Sequence, residues 1–201
     1  MTCVRIYALG VLLMFSGLPG CGSSGPPRVV PDLPDASAAD KAMQLYDTNQ
    51  DGFLDAKELE KAPGLKAALK QKDGKISKEE IAERIKGWAD SRVGRIQITC
   101  RLTHNGNPLE GAKVEFVPEK FLGGTLQAGS GTTSKTGGAV ISSPYAANPA
   151  VRGLSPGFYR VEVTKAGENI PAKYNSDTTL GAEVASGSEA EQHGLKFDLQ
   201  Y

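Results

Sequence analysis

The densest chemistry in the chain lies in twelve consecutive residues, Asp47-Thr48-Asn49-Gln50-Asp51-Gly52-Phe53-Leu54-Asp55-Ala56-Lys57-Glu58. Asp47, Asn49 and Asp51 place side-chain oxygens at the first, third and fifth positions, and Phe53 offers its main-chain carbonyl at the seventh. Asp55 stands at the ninth, a position that often acts through water, and Glu58 can close with both oxygens at the twelfth. Gly52 at the sixth permits a sharp left-handed turn that residues with a Cβ resist. Hard oxygen ligands in this number suit Ca²⁺; Mg²⁺ demands a tighter octahedron and fits less well.

The same spacing recurs over Leu69–Glu80, with Gln71 at the third position, Asp73 and Gly74 at the fifth and sixth, and Lys75 at the seventh. Ile76, Ser77 and Glu80 then fall at the eighth, ninth and twelfth. Leu69 at the first position removes the leading carboxylate, while Lys70, Lys72, Lys75 and Lys78 crowd the loop with positive charge. Calcium is therefore expected to bind here weakly or not at all. The loop reads as a structural half whose Ile76 strand pairs with that of Leu54, so that the two loops form an EF-hand pair.

Elements to position these loops are legible on both sides. Ser37 with Asp40 three residues on can cap a helix presenting Ala39, Ala42, Leu45 and Tyr46. Ten residues separate the two loops, too few for two full helices, which predicts very short connecting ones. Ser77 and Glu80 double as a capping box for a last helix with Ile81, Ile85 and Trp88 along one face. Trp88 reads as core, or as a plug against whatever follows.

Ahead of this region, Met1–Gly20 carries one charge, Arg5, and an apolar stretch from Ile6 to Phe15, the pattern of a secretory signal. Leu18-Pro19-Gly20-Cys21 resembles the bacterial lipobox, which implies lipidation of Cys21 as a new amino terminus. Residues 21–36 are rich in Gly, Ser and Pro and read as a flexible tether. These features place the protein across the inner membrane and anchored by lipid in the cell envelope, on the periplasmic or outer-membrane side. No apolar run reaches the roughly 18 residues of a membrane-spanning helix. Lys plus Arg equals Asp plus Glu at 23 each in 201 residues, so no basic field argues for nucleic acid.

From Arg95 the periodicity changes to two. Ile96, Ile98, Cys100 and Leu102 alternate with polar residues as in a half-buried strand, and Asn105-Gly106 supplies a turn. Further strands are expected over 111–118, 131–133, 139–142, 158–164 and 195–200, divided by Gly/Pro turns. The fold class expected is α+β: an EF-hand pair over residues 37–91, then an antiparallel β-sandwich over 94–201. Cys100, on the apolar face, reads as an inert buried thiol.

Asn107-Pro108-Leu109-Glu110-Gly111-Ala112-Lys113-Val114-Glu115-Phe116-Val117-Pro118, Ser130-Gly131-Thr132-Thr133 and Gly153-Leu154-Ser155-Pro156-Gly157-Phe158-Tyr159 resemble transthyretin-like, carboxypeptidase-regulatory-like domains. Ile170-Pro171-Ala172-Lys173-Tyr174-Asn175 is similar to a segment of small lipoproteins from planctomycete-type bacteria. Ser134 stands where that family usually has Asp. The resemblance covers about residues 94–201 and speaks for fold, because its motifs are turn and core residues.

Related sandwiches include a hydrolase built on clustered His and Arg, and an iron site of two Tyr and two His. Only His104 and His193 are available here, and neither falls in a ligand spacing or beside a nucleophile motif. The expectation is a non-enzymatic, lipid-anchored calcium-binding envelope protein in which calcium is structural and the sandwich binds an envelope protein or glycan. The alternative is a glycan or peptide carrier with calcium incidental, its specificity carried by exposed loops over Phe121–Gly129 and Pro144–Arg152.

Overall fold

The computed structural model describes residues 33–68, 74–145 and 148–201, without the side chains of 145–149. The expected signal over residues 1–20, Cys21, most of the expected tether, and Leu69 to Asp73 with Gln71 lie outside the described residues.

Helix α1 spans Ala38–Tyr46 and buries Ala38, Ala39, Ala42 and Tyr46. Its start differs from expectation. Ser37 already has helical backbone angles and makes no side-chain cap; Asp35 Oδ1 instead accepts the Ser37 N–H at 2.8 Å. Leu45, expected inside, is 51% exposed, because the helix is turned to seat Tyr46. Strand β1, Phe53–Asp55, pairs antiparallel with β2, Lys75–Ser77, in the register that sets Leu54 opposite Ile76. The connection is as short as the ten-residue spacing demands: a 3-10 turn at Glu58–Lys61 and a six-residue α2 at Pro63–Ala68. Proline at the first helical position costs no hydrogen bond, since that N–H would be unpaired anyway. Helix α3, Lys78–Ser91, begins with the reciprocal Ser77–Glu80 capping box and buries Ile81, Ile85 and Trp88.

The remainder is sheet. Ten strands follow in order: β3 (Ile98–His104), β4 (Asn107–Pro108), β5 (Lys113–Pro118), β6 (Gly129–Thr132), β7 (Gly138–Ile141), β8 (Ser143–Tyr145), β9 (Asn148–Gly153), β10 (Gly157–Thr164), β11 (Gly181–Val184) and β12 (Leu195–Leu199). One sheet runs β11-β10-β5-β6, all antiparallel. A second places β3 centrally, with β12 on one edge and β4 and β7 on the other, while β8 and β9 form a separate hairpin. Alternate residues of β3 (Ile98, Cys100, Leu102) and β10 (Tyr159, Val161, Val163) are buried, as period-two patterning requires. The chain is thus α+β.

Three expectations about this region need correction. β12 pairs with β3 in parallel, Leu195 opposite Cys100 through Leu199 opposite His104, so the strands are not all antiparallel. Gly/Pro turns are not all that divides the strands, since helical turns occur among them at Lys120–Thr125, Ala172–Tyr174 and the short α4, Glu189–Gln192. Phe121–Gly129 is exposed only in part: Phe121, Leu122 and Leu126 are buried, Phe121 against Tyr46 and Phe158, while Gly123, Gly124, Thr125, Gln127 and Ala128 are exposed. Most of Pro144–Arg152 lies in the β8–β9 hairpin.

The helices and strands share a continuous apolar core. α2 lies with its backbone directly on β10 and β11. A Cβ on Gly181 would come within 2.1 Å of the Pro63 carbonyl carbon, and one on Gly64 within 2.8 Å of Tyr159 N. Beside this seat, Trp88 packs edge-on to Phe158 at 4.7 Å between ring centres, and its indole N–H donates to Glu183 Oε1 at 2.8 Å. Arg84 completes the contact with two hydrogen bonds to Glu183, at 2.6 and 2.7 Å.

Candidate metal centre

Between α1 and the 3-10 turn, the Asp47–Glu58 loop winds its main chain around its own carboxylates. Gly52 adopts φ +84°, and Gln50 also takes a left-handed conformation, φ 58°. Asp47 accepts the N–H groups of Asp51 (3.2 Å) and Gly52 (3.1 Å). Asn49 Oδ1 accepts Asp51 N–H at 2.9 Å, and Asp51 Oδ1 accepts Phe53 N–H at 2.9 Å. Asp55 Oδ1 accepts the N–H groups of Lys57 and Glu58 at 2.8 and 3.0 Å. Each side chain that could ligate is therefore pinned in the loop by main-chain donors.

Glu58 is the keystone. It is only 5% exposed, and its two oxygens reach both ends of the loop. Oε1 accepts Thr48 N–H (2.7 Å), the Thr48 hydroxyl (2.9 Å) and Asn49 N–H (3.3 Å); Oε2 accepts Asp55 N–H at 3.0 Å. Burial works against its charge, but these donors outweigh it and hold the carboxyl below its ordinary range.

Among the described residues, no three acidic, histidine or cysteine side chains already converge at metal-ligating distance. The loop's carboxylates face main-chain donors instead. The donor set nonetheless fits a hard cation: four carboxylates, one amide oxygen and the Phe53 carbonyl along a single loop. When bound, calcium would supply a compact double positive charge linking Asp47 at one end of the loop to Glu58 at the other.

One neighbour was not evident from the loop spacing. Lys75, counted above among residues of the second loop, extends its ammonium to Asp51 Oδ2 at 2.7 Å and holds that carboxyl below its usual range. The β1–β2 register brings it there, with Asp55 opposite Lys75. Of the other second-loop residues, Ser77 and Glu80 are engaged with each other as the cap of α3, and Gln71 and Asp73 lie outside the described residues.

Residues 39–62 match the family model described as EF hand. That match contains the whole Asp47–Glu58 loop with most of α1 and the 3-10 turn, and it supports calcium binding. No curated protein matches the chain.

The remaining candidates do not assemble. His104 and His193 sit near opposite ends of the β3–β12 pair, His104 stacked on Tyr201 at 4.0 Å. Cys100 is buried, and burial pushes its thiol up to about 11. Sequence reading singled out neither Glu119 nor Glu183, the buried acids where helices meet strands; one follows β5 and the other lies within β11, with no motif to mark them.

Proposed function

We propose that this is a calcium-binding protein of the cell envelope, anchored by lipid on Cys21, in which the ion is structural and a transthyretin-like β-sandwich over residues 94–201 is the interaction module. The observation that carries the reading is the Asp47–Glu58 loop: a complete oxygen set on a segment whose helices share a core with the strands. An ion held there would stabilise more than the loop. At a concentration 100 times its dissociation constant it adds about 2.7 kcal/mol. The resemblance of 107–118 and 153–159 to transthyretin-like domains, and two four-stranded sheets with apolar alternation, support the sandwich. The reading is non-enzymatic, supported by the separation of the two histidines and the burial of Cys100. No helix among the described residues is long and apolar enough to cross a membrane, so attachment rests on the lipobox-like segment.

A second reading, carriage of a glycan or peptide with calcium incidental, draws on a different feature. A cleft of about 900 Å³ lies along β3, β7 and β12, lined by Thr99, Arg101, Ser134, Val140, His193 and Lys196.

Calorimetric titration of calcium into the soluble chain beginning at Gly22, with Asp47→Ala alongside, tests the first reading. One ion is expected at a dissociation constant between about 10⁻⁶ and 10⁻³ M, with a raised unfolding temperature, both lost in Asp47→Ala. Two ions would show that Leu69–Glu80 binds as well. No heat and no thermal shift would overturn the reading and move attention to the cleft.

A further inference from the structure

Two chain segments flank the metal loop, and both end on the same side chain of the strand region. The entering segment is α1, whose last residue, Tyr46, directly precedes Asp47. Its ring meets Phe121 edge-on at 6.3 Å, and its hydroxyl lies against the Glu119 carboxyl. The exiting segment runs from Glu58 through the buried Leu59 and Ala62 to Gly64, whose N–H donates to Glu119 Oε1 at 2.7 Å. Glu119 is fully buried. The groups facing it are Tyr46 from α1, Gly64 N–H from α2, Arg160 from β10 and Lys120 from its own turn.

The contact is unfinished. Among the described residues, Glu119 Oε2, the Tyr46 hydroxyl and Arg160 Nε are all buried without a hydrogen-bond partner. Buried polar groups are ordinarily paired, and an unpaired one costs free energy that a small relative movement can recover. Tyr46, which precedes Asp47, and Gly64, which follows the Glu58 turn, both border this carboxyl, so its packing ties together the two ends of the loop.

We propose that Glu119 is a positioning residue for the metal loop: by holding Gly64 and facing Tyr46 it sets the spacing of the loop's first and twelfth residues. It touches no ion. It acts by fixing the two segments that carry Asp47 and Glu58, so that less ordering remains when a cation binds. The inference rests on the loop being a calcium site, but its geometric part does not.

The test therefore has a metal-free arm. Amide hydrogen exchange of Thr48, Asn49 and Asp55, the N–H groups donated to Glu58, is measured on the soluble chain beginning at Gly22 in chelator, followed by calcium titration of the same samples. The variants are Glu119→Ala, Glu119→Gln, Glu119→Asp and, as a control at the other helix–strand contact, Glu183→Gln. Glu119→Ala is expected to speed exchange of the three loop amides at least tenfold and weaken calcium about tenfold. Glu119→Gln keeps an acceptor for Gly64 N–H and is expected to stay within threefold of the parent. Glu183→Gln is expected to leave the loop amides unchanged relative to amides elsewhere in α1.

Should Glu119→Ala fail to fold, Glu119→Asp, whose shorter side chain draws the carboxyl back from Gly64 N–H, decides: exchange of Thr48 and Asn49 at least threefold faster supports the proposal, and parental exchange overturns it. Parental loop exchange in folded Glu119→Ala, or equal loosening by Glu183→Gln, also overturns it. Absence of calcium binding in the parent, with the exchange pattern as expected, would refute the calcium reading and leave the positioning role standing.

Discussion

Glu58 and Glu119 are both carboxyl groups sealed from solvent, and the protein treats them in opposite ways. Glu58 is surrounded by donors, three main-chain N–H groups and one hydroxyl, and remains below the ordinary carboxylate range. Glu119 has one main-chain donor, and burial pushes it up to about 7 despite Gly64, Arg160 and Lys120. The difference lies in local chain geometry. A loop that turns back on itself can aim successive N–H groups at one point, whereas a junction between separately formed elements offers only what their surfaces happen to present. The loop is prepared for negative charge and so for a cation; the junction is not.

The strongest way to sharpen this contrast is pH. Between about 4.5 and 7, native Glu119 keeps a proton that the unfolded chain has released, so stability falls as pH rises through that window, by about 3 kcal/mol in full. The contribution of Glu58 has the opposite sense: it is present above the unfolded value of 4.5 and is lost as pH falls below it. Urea midpoints in chelator at pH 5 and pH 8 are expected to show the parent less stable at pH 8 and Glu119→Gln nearly level. A parallel decline in both would sink the assignment.

A smaller effect is expected at the other buried acid of the junction. Glu183→Ala leaves the Trp88 N–H without its acceptor and Arg84 without its partner. Arg84 is itself partly solvated, so its share is screened and the whole loss is about 2 kcal/mol. Chemical denaturation with Trp88 fluorescence would report both the loss and the altered indole environment. An unchanged midpoint would mean the junction does not depend on that contact.

The smallest expected effect is at the loop. Lys75 is exposed and places its charge on Asp51, where it opposes an incoming cation. Lys75→Met is expected to tighten calcium about threefold at low salt, with the gain fading as salt screens the pair. Calorimetry at two ionic strengths checks it; weaker binding would mean that Lys75 orders the loop more than it repels the ion.

Much of this was legible in the residues themselves. The spacing of Asp47, Asn49, Asp51, Gly52, Asp55 and Glu58 specifies a loop, Leu54 and Ile76 at matching positions specify its pairing, and Ser77 with Glu80 specifies a cap. These are local rules, satisfied within a dozen residues. What was hidden depends on partners far along the chain. Leu45 fits the helical stripe as well as Tyr46 does, and only the position of Phe121 decides which faces inward. Asp35 outcompetes Ser37 as the acceptor at the start of α1, a choice between two good candidates two residues apart. Glu119 just after β5 and Glu183 within β11 stand where many acids are solvated; their burial follows from where α2 and α3 come to rest.

The parallel pairing of β12 with β3 has a consequence for how the chain comes into being. Cys100 lies opposite Leu195, so the second sheet cannot be completed until nearly the whole chain has been synthesised. The seats of α2 and α3 are also late, since Phe158, Gly181 and Glu183 follow the metal loop by a hundred residues or more. Closing such long loops costs entropy before any contact repays it, which makes this topology slow to fold. Until those contacts form the helices would wait with their apolar faces uncovered, and a bound ion would be the first thing to hold them in shape.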